Sequence, residues 1–364
     1  MKRNNFITIA KMAVIAAIPA MVMSSCKKKD AVTPDPTPVT TTGKVSAVAG
    51  SGAAGFANGT AGSAVFSYPT GITIDASGNN LLVADQANNQ IRKIVISSGA
   101  TTTFSGSTVQ GSTNASAAGV VAAYNNPSGV AVDATGNTYV ADFANNQIRK
   151  ITSAGVVSTL AGSTSSGKVD ATGTTARFNG PASVAVNPLT GDVYVAEYNN
   201  HTIRKVTSAG VVTTVAGNGA GKVDATGTSA KFNGPRGIAL NTATGDIYVA
   251  DALNNVIRKV TSAGVVTTFA GSGNMGNADG AGTAASFNRP TGVAVDAAGN
   301  VYVADTNNNL VRKITPAGTV TSVAGSGYLN LITPFNSPVA VAVDATGTIY
   351  VASSLGNVIQ KITQ

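Results

Sequence analysis

Acidic and basic side chains recur at a fixed spacing along this chain of 364 residues. In five places an acid ends an apolar run, and an arginine stands seven residues later. The acids are Asp85, Asp142, Glu197, Asp251 and Asp305, and the arginines are Arg92, Arg149, Arg204, Arg258 and Arg312. A sixth copy has Ser353 and Gln360 at these positions, so the acid and the base are lost together. Charged groups in a packed interior must be paired, so we expect structural ion pairs; the alternative is a ring of cations for an anionic ligand.

Other residue types give little support for catalysis. The chain has one histidine, His201, which excludes a His-rich zinc site. We interpret His201 as a turn residue, with a general base as the alternative. Residues 274–282 resemble half of a calcium loop, but Met275 occupies the first ligand position. No nucleophile elbow, phosphate-binding loop or acid pair stands out, so we expect no catalytic residue, no metal and no cofactor.

A second set of acids ends the first apolar run of four copies, at Asp75, Asp133, Asp296 and Asp344. Two other copies have Asn187 and Asn241 at this position. Asp and Asn side chains both accept backbone hydrogen bonds in Asx turns. We therefore expect turn residues here, and a ring of metal ligands is the alternative.

Residues that depart from the repeated pattern are the candidates for ligand contact. Arg236 occupies a position that is uncharged in every other copy, and Arg289 precedes a proline where two copies have glycine. Large side chains also vary just after the second apolar run, at Phe143, Tyr198 and Leu253. Aromatic side chains together with arginine are typical of binding hot spots. The candidate ligand-binding residues are Arg236, Tyr198, Phe143, Arg289 and His201, and ordinary loop variation is the alternative interpretation.

The repeating unit that must position these residues occurs six times. A start of the type Pro-x-Gly-apolar recurs at steps of 58, 54, 54, 55 and 48 residues, at Pro69, Pro127, Pro181, Pro235, Pro290 and Pro338. Each copy contains four apolar runs rich in Val, Ile, Thr and Tyr, separated by turn residues such as Gly136. A fixed period of this size indicates a stacked or circular repeat architecture. We predict an all-β fold, a β-propeller with six blades of four strands each.

The two ends of the chain are expected to complete one blade. The third strand of the sixth copy ends near Gln364, and residues 44–50 match the fourth strand of other copies. An N-terminal strand that closes the last blade would remove exposed sheet edges. We call the long segment between the last strand of one copy and the first strand of the next a link. Because strand direction alternates, the links and the Asn-Asn turns that follow the second strands should lie on one face. Each link ends in an aromatic residue that we expect to pack between blades: Phe66, Tyr124, Phe178, Phe232, Phe287 and Phe335.

The residues that recur in nearly every copy, here called the frame of the repeat, resemble the NHL family. Residues 195–206, VAEYNNHTIRKV, carry Asn200-His201-Thr202 where NHL repeats have their Asn-His-Leu signature. The frame GVAVD…VYVAD…IRKI extends over about residues 44–364. The resemblance implies a six-bladed NHL propeller. Such propellers serve as protein- or RNA-binding platforms, as sensor domains of bacterial receptors and occasionally as enzymes, so the resemblance does not decide the activity.

The N-terminal segment has the pattern of an export signal. Residues 1–25 have a basic start, an apolar stretch from Met12 to Met23 and small residues before Cys26, the one cysteine of the chain. This pattern resembles a bacterial lipoprotein signal peptide that is cut before Cys26, with lipid on the thiol; an uncleaved anchor or an ordinary secretory signal is the alternative. Residues 26–43 follow as a Thr- and Pro-rich tether. We expect an exported lipoprotein, membrane-anchored through Cys26 on the periplasmic face or the cell surface, with the propeller over residues 44–364.

Composition narrows the choice of partners. The net charge of +8 overstates the charge of the propeller, because several cations lie in the leader and most others belong to the Ile-Arg-Lys frame. The excess of basic over acidic residues is therefore weak evidence for a nucleic-acid partner. The absence of Trp argues against a carbohydrate-stacking platform. We expect a monomer that binds a protein, a peptide or a cell-envelope component on the face carrying the links; the alternative is a channel-mouth hydrolase or lyase of gluconolactonase-like type.

Overall fold

The proline of each repeat begins the innermost strand of an antiparallel sheet, and six such sheets are arranged in a circle. The structure, a computed structural model, describes residues 41–115, 121–326 and 334–364. Each innermost strand contacts the innermost strands of two neighbouring sheets, and the sixth sheet contacts the first. The predicted all-β, six-bladed propeller is confirmed. The predicted leader, the lipid site at Cys26 and most of the tether lie outside the described residues.

The strands run in chain order from the inside of each blade to the outside, after an N-terminal strand, β1 (Lys44–Ala49). Blade 1 contains β2 (Pro69–Ile74), β3 (Asn80–Asp85), β4 (Gln90–Val95) and β5 (Thr101–Gly106). Blade 2 contains β6 (Pro127–Val132), β7 (Thr138–Asp142), β8 (Gln147–Ile151) and β9 (Val157–Gly162). Blade 3 contains β10 (Pro181–Val186), β11 (Val193–Glu197), β12 (Thr202–Val206) and β13 (Val212–Ala216).

Blades 4 and 5 each begin with a short additional strand. Blade 4 contains β14 (Ala225–Thr226), β15 (Pro235–Leu240), β16 (Ile247–Asp251), β17 (Val256–Val260) and β18 (Val265–Ala270). Blade 5 contains β19 (Gly280–Ala281), β20 (Pro290–Val295), β21 (Val301–Asp305), β22 (Leu310–Ile314) and β23 (Thr319–Gly325). Blade 6 contains β24 (Pro338–Val343), β25 (Ile349–Ser353) and β26 (Val358–Thr363). Single-turn 3-10 helices lie at Gln86–Asn88, Phe143–Asn145, Gly173–Thr175, Gly227–Ser229, Ala252–Asn254, Gly282–Ala284 and Thr306–Asn308.

In the described part of the chain, the additional strands depart from the predicted four-stranded blade. β14 and β19 pair with the outermost strands β18 and β23 of their blades. Single bridges occur at the same place in blades 1 to 3, at Gly59–Thr101, Ala115–Val157 and Thr172–Val211. Each of these links therefore passes along the outer edge of its blade before it turns inward. A pairing of two residues is too short to leave a periodic pattern in the sequence.

The last blade is closed by the N-terminal strand, as predicted. β1 pairs antiparallel with β26, with Val45 opposite Ile362 and Ala47 opposite Gln360. The strand order of blade 6 is β1-β26-β25-β24. The outer edge of the third strand is thereby paired, as it is in the other five blades.

The hydrophobic core lies between blades. The buried apolar residues form six clusters, and each cluster joins two neighbouring blades. The innermost strands approach so closely that a Cβ atom at Gly71 would lie 2.6 Å from the carbonyl oxygen of Ser128 in blade 2. The link aromatics are fully buried, as expected of core residues: Phe66, Tyr124, Phe178, Phe232, Phe287 and Phe335.

Candidate functional site at the channel mouth

The long links and the Asn-Asn turns lie on one face, as predicted from the strand directions. Each link ends beside the turn of its own blade; for example, the backbone N–H of Ala144 donates to the carbonyl of Asn125, and that of Tyr198 donates to the carbonyl of Gly180. This link-bearing face contains the start of every innermost strand. The first residues of these strands therefore surround the central channel at this end.

The repeated acid and arginine form buried ion pairs. An Nη1 atom lies 2.7–3.0 Å from a carboxylate oxygen in the pairs Arg92–Asp85, Arg149–Asp142, Arg204–Glu197, Arg258–Asp251 and Arg312–Asp305. Both side chains of every pair are inaccessible to solvent. The predicted structural pairing is confirmed. The alternative, a ring of cations open to a ligand, is wrong because the guanidinium groups are buried.

Each of these arginines is also held by the link of its blade, which the sequence analysis missed. In blade 2, Nη2 of Arg149 donates to Oδ1 of Asn114 at 2.8 Å, and the guanidinium carbon lies 5.3 Å from the ring centre of Tyr124. In blades 3 to 5 the link supplies a second acid instead, at Asp170, Asp224 and Asp279. Asp279 is the acid in the segment that resembles half a calcium loop. It therefore forms an ion pair with Arg312. The link acids anchor the links to the frame.

The second set of acids stabilises turns, as predicted, and these turns lie on the face opposite the links. Oδ1 of Asp133 accepts hydrogen bonds from the backbone N–H groups of Thr135 and Asn137, and Oδ2 accepts one from the Tyr139 hydroxyl at 3.0 Å. Partial burial acts to raise the pKa of Asp133, but hydrogen bonds from Asn137 and Thr135 outweigh it and lower this pKa. Within the described ranges, no group of three His, Cys, Asp or Glu side chains is placed to hold a metal ion.

His201 lies at a contact between blades. Its backbone has a left-handed φ of 56°, and its Nδ1 atom accepts a hydrogen bond of 3.0 Å from the backbone N–H of Gly234 in the next link. Burial lowers the pKa of His201, which favours the neutral ring that this acceptor requires. The same bond is accepted by the Oδ1 atoms of Asn89, Asn146, Asn255, Asn309 and Asn357. The structure thus places His201 as a turn residue, and His201 is not among the residues that line the channel cavity.

The channel opens on the link-bearing face into a cavity of about 160 Å³. Its rim is formed by the second residue of each innermost strand, namely Thr70, Ser128, Ala182, Arg236, Thr291 and Val339. Arg236 is the charged member of this ring. One side of the rim therefore carries a cation, and the remaining positions are hydroxyl or small apolar side chains.

The Arg236 guanidinium has no carboxylate partner among residues 41–115, 121–326 and 334–364. Its central carbon lies 5.3 Å from the ring centre of Tyr198, a cation–π contact. Burial and the positive charge of Arg289 lower the pKa of Arg236, while Tyr198 and Tyr68 act in the opposite direction. A partly desolvated cation without a counter-ion favours the approach of an anionic group.

Two further large side chains, one of which lines the cavity, stand at strained backbone positions. Arg289 and Tyr68 stand directly before the prolines that begin β20 and β2, with left-handed φ values of 52° and 57°. Such a conformation costs a residue with a side chain about 1–3 kcal/mol and is found preferentially at functional sites. Tyr68 lines the cavity and is 42% exposed. All six residues before the prolines of the repeat have a left-handed φ, so this geometry belongs to the repeat, and Tyr68 and Arg289 are its two large side chains.

Phe143 and Tyr198 are positioned by the turns that follow the second strands of blades 2 and 3. A Cβ atom at Gly180 would lie 3.2 Å from the Phe143 ring, and one at Gly234 would lie 2.8 Å from the Tyr198 ring. Each aromatic ring therefore covers the glycine that leads into the next blade. Leu253, from the corresponding turn of blade 4, also reaches Gly234 and is exposed.

Two of the five predicted site residues, Arg236 and Phe143, line the cavity. Tyr198 contacts Arg236, and Arg289 is a charged neighbour of Arg236. His201 contacts Gly234 at the junction between blades 3 and 4. Sequence reasoning missed Tyr68, although it occupies the same position as Arg289 in its repeat. It also missed Thr70, whose Oγ1 atom is buried at the rim and has no hydrogen-bond partner among the described residues. Variation at the residue before the proline was the signal that would have indicated Tyr68.

Comparison with protein families identifies the repeat that the sequence analysis described. The family described as NHL repeat matches residues 66–94, 232–258 and 287–314, and the family described as teneurin NHL domain matches residues 114–221. This chain is a propeller built of NHL repeats. The NHL-repeat propeller is 28% identical, over 73% of its length, to the protein SUPPRESSOR OF QUENCHING 1 of Arabidopsis thaliana, but it spans only 27% of that protein. It is 37% identical, over 25% of its length, to NHL repeat-containing protein 2 of Bos taurus, of which it spans 13%.

Solved structures share the fold of this NHL-repeat propeller at low sequence identity. A Bacteroides thetaiotaomicron protein of unknown function has a TM-score of 0.68 and 21% identity, covering 88% of this chain and 76% of that chain. A protein of the same organism described as an auxiliary nutrient binding protein has a TM-score of 0.65 and 15% identity, covering 88% and 77%. A gluconolactonase of Xanthomonas campestris has a TM-score of 0.61 and 12% identity, covering 91% and 95%. At these identities the likeness shows the fold alone.

In the part of the chain that the structure describes, none of the helices has the length and apolar character needed to cross a membrane.

Proposed function

We propose that this NHL-repeat propeller binds a protein, a peptide or a component of the cell envelope at the mouth of its channel. The observation that carries the proposal is the Arg236 guanidinium, which lines the cavity, stacks on Tyr198 and has no acid beside it in the described ranges. Arginine and tyrosine are the residue types that dominate binding energy in protein interfaces. Two proteins of similar fold are described as auxiliary nutrient binding proteins, which supports a ligand-binding role.

The proposed binding site, the channel-mouth surface, consists of Arg236, Arg289, Tyr198, Tyr68 and Phe143. These residues differ between repeats, whereas the ion pairs and the contacts between blades are repeated almost unchanged. A rigid frame with variable side chains at one opening suits a binding platform, because little conformational entropy is lost when a ligand docks.

We further propose that the protein is exported and acts as a monomer anchored to a membrane by lipid on Cys26. The basic and apolar leader before this cysteine supports export. The Thr- and Pro-rich residues 26–43 would hold the channel-mouth surface away from the membrane.

The catalytic alternative makes a different demand on the site. A hydrolase or lyase at the channel mouth would need several carboxylate or histidine side chains converging there. In the described part of the chain, the acids that end the second strands are buried in ion pairs with the frame arginines. The residues that line the mouth cavity include no acid and no histidine. The site is therefore better suited to holding a ligand than to transforming it.

The test is capture of partners from a cell-envelope extract by the full chain, repeated with Arg236→Ala and with Tyr198→Ala. Arg177→Ala is the matched control, because Arg177 lies in a link and donates to the carbonyl of Thr174 at 2.7 Å. The proposal predicts that both mouth variants lose partners that the wild type and the control retain. Recovery of the same partners by all four chains would overturn it.

A further inference from the structure

The excess positive charge of the propeller lies mainly in its links. Over residues 44–364, the acids that end the second strands equal the frame arginines in number. Each copy also has a lysine directly after the frame arginine or Gln360, and these lysines are matched by six acids at the turns between the first and second strands: Asp75, Asp133, Asp192, Asp246, Asp296 and Asp344. Apart from Lys44, the cations that remain belong to links or to the start of an innermost strand: Lys168, Arg177, Lys222, Lys231, Arg236 and Arg289. The acids that remain are Asp170, Asp224 and Asp279, so the links carry more positive than negative charge.

Four of these cations lie on the link-bearing face, in blades 3 to 5. Lys168 and Lys222 each directly follow a glycine whose carbonyl group accepts a hydrogen bond from the Asn-Asn turn of blade 3 or blade 4. The equivalent position is uncharged in blades 1, 2 and 5. Arg236 and Arg289 stand at the starts of β15 and β20 on the same face. We call Lys168, Lys222, Arg236 and Arg289 the basic sector.

The basic sector makes no ion pair with any of the residues that the structure describes. The Lys168 ammonium donates to a side-chain amide oxygen at 3.1 Å, and the Lys222 ammonium donates to a backbone carbonyl at 3.2 Å. On the opposite face, by contrast, Lys205 lies 2.7 Å from a carboxylate oxygen of Asp192. The three link acids bind frame arginines. Lys168, Lys222 and Arg289 are exposed, so their charges are available to a partner.

The mouth cavity beside these cations has room for one side chain. Its volume of about 160 Å³ is smaller than the roughly 300–1,000 Å³ of pockets that take drug-sized ligands. Arg236 lines this cavity, and a carboxylate matches the donor geometry of its guanidinium. The Tyr198 ring and Leu253 both approach Gly234, two residues before Arg236, and offer apolar contact next to the charge. The site therefore favours a single acidic side chain over a whole nucleotide.

We propose that an extended acidic segment of a protein partner docks on the basic sector, with one Asp or Glu side chain in the mouth cavity against Arg236. Further acids of the segment lie over Lys222 and Lys168. Opposite charge on the two surfaces accelerates association and selects against basic partners. The inference rests on the proposed function, since it assigns a partner class to the same site.

The test is the fluorescence anisotropy of a labelled hexaglutamate peptide with blocked ends, titrated with the full chain. We expect saturable binding that Arg236→Gln weakens by about tenfold or more. Lys168→Gln and Lys222→Gln should each weaken it by about twofold to fivefold, because exposed charges contribute less. Lys93→Gln is the matched control, since it removes one charge from a frame lysine of blade 1 and should bind like the wild type. Raising the salt concentration from about 0.1 M to about 1 M should weaken binding, because the Debye length falls from about 10 Å to about 3 Å.

Two further probes separate charge from partner class. A hexaglutamine peptide, which lacks the charge, and a hexauridine RNA, which carries phosphates, should each bind at least about tenfold more weakly than hexaglutamate. Unfolding midpoints that match the wild type show that the variants are folded. The inference is overturned if the wild type fails to bind hexaglutamate, if the variants of the basic sector bind it as the control does, or if the RNA binds as tightly. Loss of envelope partners by Arg236→Ala without any hexaglutamate binding by the wild type would remove this inference and leave the proposed function standing.

Discussion

The Nδ1 atom of His201 accepts a 3.0 Å hydrogen bond from the backbone N–H of Gly234, and this bond joins blade 3 to the entrance of blade 4. An asparagine makes the equivalent bond at the five other junctions. The histidine of the NHL signature is therefore one version of a contact that is repeated around the whole ring. Its role here is to hold neighbouring blades in position.

We predict that His201→Asn leaves stability nearly unchanged, because asparagine already fills this role in five blades. His201→Ala should lower the free energy of unfolding by about 1–2 kcal/mol, since the N–H of Gly234 loses its acceptor. Urea unfolding followed by circular dichroism measures both values. A loss of partner capture by His201→Asn at unchanged stability would instead indicate a direct role in binding.

The sixth blade supplies a natural control for the buried ion pairs. There Oγ of Ser353 donates to Oε1 of Gln360 at 2.7 Å in place of the acid and the arginine. In blade 2, Arg149→Gln should cost about 3–5 kcal/mol, because Asp142 is left buried without its counter-ion. Adding Asp142→Ser should recover part of this cost, to be measured as a double-mutant cycle. Additive losses would show that the two side chains are not coupled.

Stability in acid should depend on the turn acids of the opposite face. Hydrogen bonds lower the pKa of Asp133 below its ordinary value of 3.8, so its stabilising effect is complete above that pH and is lost as the pH falls through the folded-state pKa. Asp133→Asn should therefore cost about 1 kcal/mol at pH 7 and less at pH 3. Unfolding midpoints at the two pH values test this. An equal cost at both would mean that the charge of Asp133 is not what stabilises the turn.

Closure of the ring by β1 can be tested with a cross-link. Ser46 lies opposite Lys361 in the register of β1 and β26, at a distance that suits a disulfide. In a Cys26→Ser background, Ser46→Cys with Lys361→Cys should oxidise to an intramolecular disulfide, seen by mass spectrometry. Ser46→Cys with Lys313→Cys is the control, because Lys313 occupies the same position in blade 5. Cross-linking of the control pair at a similar yield would contradict the closure.

The repeat made most of the fold predictable from the sequence. Six copies allowed the chain to be compared with itself, so the joint loss of acid and base at Ser353 and Gln360 revealed a contact that one copy would have hidden. The periodic strands and the closing strand near Val45 followed from the same comparison. The link acids Asp170, Asp224 and Asp279 were missed because the links vary in sequence, and their partners lie 33 or 34 residues away.

The site was predictable only where a residue broke the pattern. Arg236 stood out because the other copies have no charge at that position. Tyr68 did not stand out, because its position in the cavity lining depends on a left-handed backbone, and φ is not readable from residue type. His201 was predicted as a site residue because of its side-chain type. Its position in the structure is instead explained by its hydrogen bond with the backbone N–H of Gly234.

Arg236 and Arg289 are proposed to form the ligand contact at the channel mouth. The decisive experiment modifies the full chain with the arginine reagent phenylglyoxal, with and without cell-envelope extract, and maps the modified residues by mass spectrometry. We expect the extract to lower the modification of Arg236 and Arg289 and to leave the modification of Arg177 unchanged. Equal modification of Arg236 and Arg289 under both conditions, while the extract still binds the chain, would contradict it.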